Sequence, residues 1–300
     1  MKPGTAHSGD AFPPPSQLRG KPRICAGHTG AMKALRITAH ADAIQVAPLP
    51  LPSAYRKGDV PAEFYRRQAT GETPKVEQNL SRAAFLRTII VPDGRFTKLA
   101  SSPGALLTFV VRGELSLAAG AGQATNLISG DVFLVDADSS SRIVPNARGN
   151  CRLIQLGVAP DWPGPDAKLQ VPGTLTPRRG SEPNIKHLYQ GKDDRTYFSE
   201  FPQLFPAPPN EWSAPRVTTG FRFMCWEDGF IDWHPEVINN LAIFLSGELE
   251  LESGGGGGAI EVFHAGDVCL ASDRTGEGHI DRTRGATHVA LIVIETENLW

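Results

Sequence analysis

Short apolar runs recur along most of the chain and are separated by glycine, proline, aspartate and asparagine. Examples are "FLRTIIV", "LLTFVVRGELSL", "CRLIQLGV", "LAIFLSGELELE" and "HVALIVIE". Runs of this length with such boundaries are typical of β-strands. The main helix candidate is "DVPAEFYRRQ" at 59–68, where Asp59 can cap the first turn and Pro61 fits inside it. We therefore predict an all-β fold.

The pattern occurs twice. The stretch "FVVRGELSL…LISGDVFLVDADS" at 109–139 parallels "FLSGELELE…VFHAGDVCLASDR" at 244–274. A segment rich in proline and glycine, "APDWPGPDAKLQVPGTLTPRRGSEP", separates the copies and has the composition of a linker. We predict a disordered N-terminal extension at 1–31, a first domain at 32–160, a linker at 161–183 and a second domain at 184–300 that holds the candidate site.

A strand ending in "SGELELE", a hairpin and a "GD" that opens the next strand resemble the cupin superfamily. The two motifs of that superfamily are G-x5-H-x-H-x3,4-E-x6-G and G-x5-P-x-G-x2-H-x3-N, and two copies make a bicupin. The second copy is similar to small cupins that carry "DWH" and a "TGxGH" element, which here reads "TGEGH". The resemblance covers roughly 80–160 and 184–297. It implies two double-stranded β-helix (jelly-roll) barrels in one chain.

Aligned on the motif glycines, the second copy keeps two of the four metal-ligand positions of the family. His234 matches the first histidine and His279 matches the last. Glu236 stands at the second histidine position, and Asn240 stands at the carboxylate position. The resemblance therefore implies that His234, Glu236 and His279 form the metal set.

The first copy has no comparable set of ligands. The matched positions carry Ala100, Ser102, Leu106 and Ile143. The resemblance implies that the first barrel lacks a metal site and covers the second barrel or forms an interface.

The candidate ligands suggest a type of chemistry. His234 and Glu236 are two positions apart, so on a strand both side chains face the same side. Two histidines and a carboxylate suit Fe(II), and also Mn or Zn, and leave open positions for substrate or oxygen. The first hypothesis is a cupin-type enzyme, a metal-dependent oxygenase or isomerase, that acts on a small organic metabolite in the second barrel.

A metal-free site is the alternative. Asn240 offers only a neutral amide oxygen to a cation, and Pro235 favours a bend that aims Glu236 elsewhere. Without a metal, His234 and His279 are candidate catalytic acid–base groups, because the ordinary pKa of imidazole, about 6.5, lies close to neutral pH. Glu236 is the third candidate catalytic residue, and either it or Asp232 could orient a histidine or act as the base. That chemistry would suit an isomerase, lyase or cyclase. A bicupin that binds a small molecule without turning it over is a further alternative.

Alternation along "NNLAIFLSGE" predicts which side chains line the pocket. Asn240 and Phe244 face inward and are candidate substrate contacts. Leu241, Ile243 and Leu245 lie on the opposite face. Both faces are apolar at the centre, so another sheet, domain or subunit must cover the outer one. The other candidate substrate contacts are Trp226, Trp233 and His288.

Charge and cysteine content narrow the partners and the compartment. Lys and Arg number 30 against 32 Asp and Glu, which leaves no basic excess for binding nucleic acid or an anionic membrane. No apolar run approaches the ~20 residues of a membrane helix. The 4 cysteines are scattered without a C-x-x-C pair, as expected of a cytoplasmic protein with reduced thiols. The cupin resemblance and the two-sided apolar strands also imply a homodimer.

Overall fold

The computed structural model describes most of both predicted domains. The described residues are 30–40, 43–49, 80–94, 98–99, 104–119, 124–140, 142–163, 174–175, 182–226 and 228–294. Nearly all of the predicted extension at 1–31, the predicted helix at 59–68 and most of the predicted linker at 161–183 lie outside the described residues.

The first half of the chain contributes a seven-stranded sheet. The strands up to the second half are β1 (Gly30–Ala31), β2 (Ala34–His40), β3 (Ala43–Pro48), β4 (Ala83–Val91), β5 (Ala105–Ala118), β6 (Thr125–Ile128), β7 (Val132–Val135), β8 (Val144–Val158) and β9 (Thr174–Leu175). The order in the first sheet is β3-β2-β7-β5-β8-β4, with β6 paired to β5, while β1 and β9 form a separate two-stranded sheet.

The second half forms an eight-stranded sheet. Its strands are β10 (Ile185–Gln190), β11 (Thr196–Glu200), β12 (Thr218–Trp226), β13 (Gly229–His234), β14 (Asn240–Ser253), β15 (Ile260–His264), β16 (Val268–Ala271) and β17 (His279–Ile294). The order is β11-β10-β16-β14-β17-β12, with β15 paired to β14 and β13 paired to β17. Single 3-10 turns occur at Ala137–Ser139 and Pro202–Leu204.

The two sheets have the same strand order. β2 matches β10, β5 matches β14 and β8 matches β17, and in each sheet one parallel pair (β2 with β7, β10 with β16) accompanies antiparallel pairs. The predictions of an all-β chain and of two similar barrels in one chain are thereby confirmed. β13 is an addition, because it has no counterpart among the described strands of the first sheet. It is the strand that ends at His234.

A glycine interrupts the long central strand of each barrel at the same point. Gly113 and Gly247 have φ values of +83° and +79°, and the pairing register shifts beside each of them. A Cβ on Gly247 would lie 2.6 Å from the Cα of Thr287, so no larger residue fits without moving the partner strand. The glycine of the first motif is thus required by a β-bulge.

The outer face of the second barrel packs against the first barrel. Leu241, Ile243 and Leu245 lie in an apolar cluster to which both sheets contribute, whereas Phe244 lies in a separate cluster inside the second barrel. We call the former the shared cluster. Its members include Leu107, Phe109, Leu134, Ile154 and Leu156 from the first sheet and Phe221, Phe223, Leu241, Ile243, Leu245 and Ile292 from the second. The predicted alternation is correct, and the first barrel is the cover.

Backbone hydrogen bonds also join the two barrels. The N–H groups of Ser81 and Phe221 each donate to the carbonyl of the other residue, at 2.8 and 2.9 Å. Leu86 and Arg216 form a second reciprocal pair at 2.8 and 2.9 Å. The ring of Trp162 packs against Phe221 with centroids 5.3 Å apart. The junction therefore combines directional hydrogen bonds with apolar burial.

The apolar face that suggested a homodimer is covered within one chain. The homodimer therefore stays a prediction that rests on the family resemblance alone. None of the helices in the described part of the chain has the length and apolarity needed to span a bilayer.

Truncation of the shared cluster should destabilise the whole fold. Phe221 is fully buried, so we expect Phe221→Ala to lower the free energy of unfolding by about 3 to 5 kcal/mol. Because both barrels bury side chains in that cluster, circular dichroism and tryptophan fluorescence should report one coincident transition in denaturant. Val217→Ala is the control: Val217 is 56% exposed, and we expect a change within about 0.5 kcal/mol. Two separate transitions, of which only one shifts, would contradict the shared-cluster account.

Candidate functional site

Two histidines meet where β13 ends and β17 begins. His234 is the last residue of β13, His279 is the first of β17, and the two are direct partners in the antiparallel pair. Their ring centroids lie 4.5 Å apart. The preceding Gly278 has φ +77°, and a Cβ there would lie 2.1 Å from the carbonyl oxygen of His234. Only glycine allows the backbone to approach this closely, so Gly278 makes the histidine pair possible.

The two histidines present the same nitrogen to one carboxylate. Nδ1 of His279 donates to Asp273 Oδ2 at 2.7 Å, and Nδ1 of His234 donates to the backbone carbonyl of Asp232 at 2.8 Å. Both Nε2 atoms then face Asp281, at 3.4 Å from His279 and 3.7 Å from His234. One donor atom from each of His234, His279 and Asp281 lies within 4.8 Å of the other two. Among the described residues, three potential metal ligands converge only here.

Sequence reasoning missed Asp281. It follows His279 by two positions on β17, so both side chains point to the same face of the sheet. This i, i+2 rule is the one that paired His234 with Glu236, and its use along "HID" would have found the carboxylate. Asp273, which precedes β17, is fully buried and is the partner of the His279 ring.

The predicted placement of Glu236 is wrong in one respect. β13 ends at His234, so Glu236 does not share a strand face with that histidine. Pro235 lacks the N–H that a continuing strand pair would use, which explains the end of the strand. The Glu236 N–H donates instead to the carbonyl of Asp273 at 3.1 Å. The carboxylate still reaches the site and lies 4.0 Å from His279 Nε2. Asp281 therefore occupies the third position of the cluster, and Glu236 lies beside it.

The surroundings of the site shift the pKa values of its ionisable groups in different directions. Burial works to lower the pKa of His279, but the nearby carboxylates of Asp273 and Asp281 outweigh it and raise that pKa well above the ordinary value. Burial lowers the pKa of His234 in spite of Asp281. Burial likewise raises the pKa of Glu236 to about 7, although His279 acts against the rise. Without a metal, His279 is thus the cationic ring and His234 the neutral one.

An arginine on β12 adds a cation that the sequence-based predictions did not include. Phe221 and Phe223 point into the shared cluster and Met224 into the interior cluster of the second barrel, so alternation turns Arg222 toward the interior. Burial raises the pKa of Glu236, and the charge of Arg222 acts against that rise. A charged residue within the apolar run "GFRFMCW" was the available signal.

The other predicted substrate contacts have varied surroundings. Asn240 is buried and donates through Nδ2 to the carbonyl of Ile238, and its Oδ1 has no hydrogen-bond partner among the described residues. Phe244 stacks on Phe263 with centroids 4.9 Å apart and is a core residue. Trp226 is half-buried against the interior cluster, whereas Trp233 is 39% exposed.

His288 lies on the wrong face to contact a ligand in the barrel. Val289 and Leu291 point into the interior of the second barrel, whereas Ala290 and Ile292 join the shared cluster. By alternation His288 faces the same way as Ala290. Its Nδ1 lies 2.7 Å from the Ser246 hydroxyl, and burial lowers its pKa. The predicted role in substrate binding is therefore corrected to a structural one.

The equivalent region of the first barrel is apolar where the structure describes it. Leu106 and Ile143 are buried at 0% and 2% exposure, and Ile143 belongs to the interior cluster of that barrel. Ala100 and Ser102 lie outside the described residues.

Comparisons with known proteins bear on the fold. No protein-family model matches the sequence, and no curated protein matches it. A cupin 2 conserved barrel domain protein from Leptotrichia buccalis is 12% identical, covers 71% of this chain and 84% of its own length, and has a TM-score of 0.36. The oxalate decarboxylase of Lactobacillus farciminis in its formate complex is 14% identical, covers 73% of this chain and 78% of its own length, and has a TM-score of 0.26. The oxalate decarboxylase of Bacillus subtilis, a protein with Mn(II) centres, is 11% identical, covers 72% of this chain and 70% of its own length, and also has a TM-score of 0.26.

Replacement of Glu236 should change how stability depends on pH. The folded-state pKa of about 7 exceeds the ordinary 4.5, so the native protein holds this proton more tightly and loses stability as pH rises from 4.5 to 7. In chelator-treated protein, we expect Glu236→Gln to abolish that loss and to be about 2 kcal/mol more stable than wild type at pH 8, but equally stable at pH 4.5. Denaturant melts across this range measure the difference.

The exposed Glu211 supplies the control for this pH experiment. Glu211→Gln should leave the pH profile unchanged. Parallel profiles for wild type and Glu236→Gln would show that the Glu236 carboxyl is not perturbed.

Proposed function

We propose that this protein is a cupin-type enzyme that holds one divalent metal ion at His234, His279 and Asp281 and acts on a small anionic metabolite in its second barrel. The observation that supports this most strongly is the orientation of the two histidines. Each Nδ1 is held by a hydrogen bond, to the Asp232 carbonyl in one ring and to the Asp273 carboxylate in the other, and both Nε2 atoms face the Asp281 carboxylate. Partners of this kind are what orient histidines as metal ligands.

The donor set fits a first-row divalent metal. Two imidazole nitrogens with one carboxylate suit Fe(II), Mn(II) or Zn(II) and leave positions for other ligands. The Asp273 carboxylate behind His279 would raise the basicity of that ring as a ligand. A bound metal would supply Lewis-acid polarisation of a substrate oxygen.

Two further side chains of the pocket have roles in this proposal. Glu236, with a pKa of about 7, can take and return a proton at neutral pH beside His279. Arg222 faces the interior and supplies the positive charge that an anionic substrate group needs. A small organic acid is therefore the substrate class that the pocket favours.

Metal-free acid–base catalysis is the second candidate. It is favoured by the pKa of His279, which the flanking carboxylates hold well above its ordinary value, and by the pKa of Glu236 of about 7. The cationic His279 would donate a proton and Glu236 would accept one, as an isomerase or lyase requires. Metal content separates the two candidates.

Metal analysis of the purified protein tests the primary proposal. We expect close to one equivalent of a divalent metal in the wild type and less than about a tenth in Asp281→Asn and His279→Ala, since metal sites depend on each ligand. Glu236→Gln should retain the metal, because Asp281 and not Glu236 completes the cluster.

His264→Ala is the matched control, because His264 pairs with Glu248 at the β14–β15 hairpin and away from the cluster. It should retain the wild-type metal content. Equal metal in wild type and Asp281→Asn, or loss in Glu236→Gln alone, would refute the assigned ligand set.

Turnover separates an enzyme from a binding protein. Metal-loaded protein incubated with a panel of small organic acids should consume at least one of them, as followed by proton NMR. We expect Asp281→Asn to abolish consumption because its site cannot hold the metal. Tight binding of an acid that is recovered unchanged would favour a non-catalytic binding role instead.

A further inference from the structure

One row of polar side chains crosses the interior of the first barrel. Arg87 on β4 pairs with Gln155 on β8, and Gln155 pairs with Thr108 on β5. The residues that flank Gln155 and Thr108 along their strands belong to the shared cluster, so these two side chains point the other way, into the barrel. Arg87 lies two positions before Ile89, an interior residue, and faces the same side.

Two of the three side chains of the row are enclosed, and Arg87 is half-buried. Gln155 and Thr108 are both fully buried. The next layer of the barrel, on one side of the row, is apolar and consists of Ile89, Val110 and Leu153. On the other side the Phe85 ring packs directly on Gly157, where a Cβ would lie 2.3 Å from the ring. The guanidinium carbon of Arg87 lies 4.9 Å from the centroid of that ring.

Two atoms of the row have no hydrogen-bond partner among the described residues. They are the buried Arg87 Nε and the buried Gln155 Oε1. The other end of the Gln155 amide donates to Thr108 Oγ1 at 3.1 Å. Buried polar groups nearly always have a partner, because an unmade hydrogen bond in a low-dielectric interior is unfavourable. An unpaired donor and an unpaired amide oxygen on two residues that pair across the sheet therefore point to a ligand between them.

The second barrel shows which part of the row is common to both copies. In the pairing of β12 with β17, Arg222 faces Leu291 as Arg87 faces Gln155 in the first barrel. Leu291 in turn faces Ala242, which corresponds to Thr108. The arginine thus occurs at the same register in both barrels, whereas the polar partners occur only in the first. The first barrel combines an arginine with neutral polar groups and no metal ligands at the described positions.

The donor pattern selects a carboxylate. A threonine hydroxyl can donate as well as accept, so the Gln155 amide can turn over and accept from Thr108 through Oε1. Its NH2 group would then have no partner on the residue that pairs with Arg87 across the sheet, and the two donors would match the two oxygens of a carboxylate. None of the acidic side chains in the described part of the chain forms an ion pair with Arg87. We propose that Arg87, Gln155 and Thr108 form a second, metal-free site that binds a small carboxylate in the first barrel, independent of the centre at His234 and His279.

Acetate is the probe for this site. The experiment uses full-length, chelator-treated Arg222→Met protein, so that the arginine of the second barrel does not contribute. We expect acetate to raise the melting temperature in calorimetry by about 2 °C or more and to saturate, because a ligand that binds only the native state stabilises it. Sodium chloride at equal ionic strength and the neutral isostere acetamide should give no such shift.

Two variants of the row locate the effect. We expect Arg87→Met to weaken the acetate response at least about tenfold, and Thr108→Ala with Gln155→Leu, which installs the residue types of the second barrel, to abolish it. The second variant replaces polar groups by apolar ones of similar or smaller size, so it tests the proposal even if Arg87→Met does not fold. Val217→Ala, on the surface, should keep the full response.

The proposal would be overturned by either of two results. One is a protein that responds equally to acetate, acetamide and chloride, which would mean that water alone occupies the row. The other is an acetate response that survives unchanged in both row variants, which would place the bound anion elsewhere.

Discussion

The central strands β5 and β14 are buried on both faces over their first seven residues, and that constraint organises the molecule. A barrel can bury only the inner face of a strand such as β14, so its outer face must be covered by something else. Leu241 and Ile243 find that cover on the first barrel, and Phe109 and Ile154 of the first barrel are buried in return. The dependence is mutual. It gives a physical reason for the chain to retain a barrel whose described interior offers no metal ligands.

The histidine cluster of the second barrel takes no part in that junction. With the outer face devoted to the junction, the short strand β13, absent from the described part of the first barrel, adds His234 beside His279 at the end of β17. Neither ring depends on a mobile side chain for its orientation, because a buried carboxylate and a backbone carbonyl hold the two Nδ1 atoms. The two rings differ in charge because their surroundings differ. Asp273 and Asp281 favour the protonated form of His279, whereas burial disfavours the protonated form of His234.

The two copies differ most in what accompanies a common arginine. In the second barrel the charge of Arg222 acts on the Glu236 carboxyl, and in the first Arg87 pairs with a residue whose amide donates to a hydroxyl. A cation held at the same register in both interiors suits anions in each. The difference lies in the neighbouring strands, where Gln155 and Leu291 occupy equivalent positions.

Local periodicity determined the strands, the duplication and the two faces of β14, because alternation within one strand is a property of the backbone itself. The family pattern also singled out His234 and His279, which the structure places on neighbouring strands. The third member of the cluster was decided by tertiary structure. Glu236 does not share a strand face with His234 because β13 ends there, before Pro235. Asp281 joins the cluster instead, because strand pairing brings β17 alongside β13. Where strands end and which residues face each other across a sheet depend on contacts between distant segments, and those contacts leave no periodic trace in the sequence.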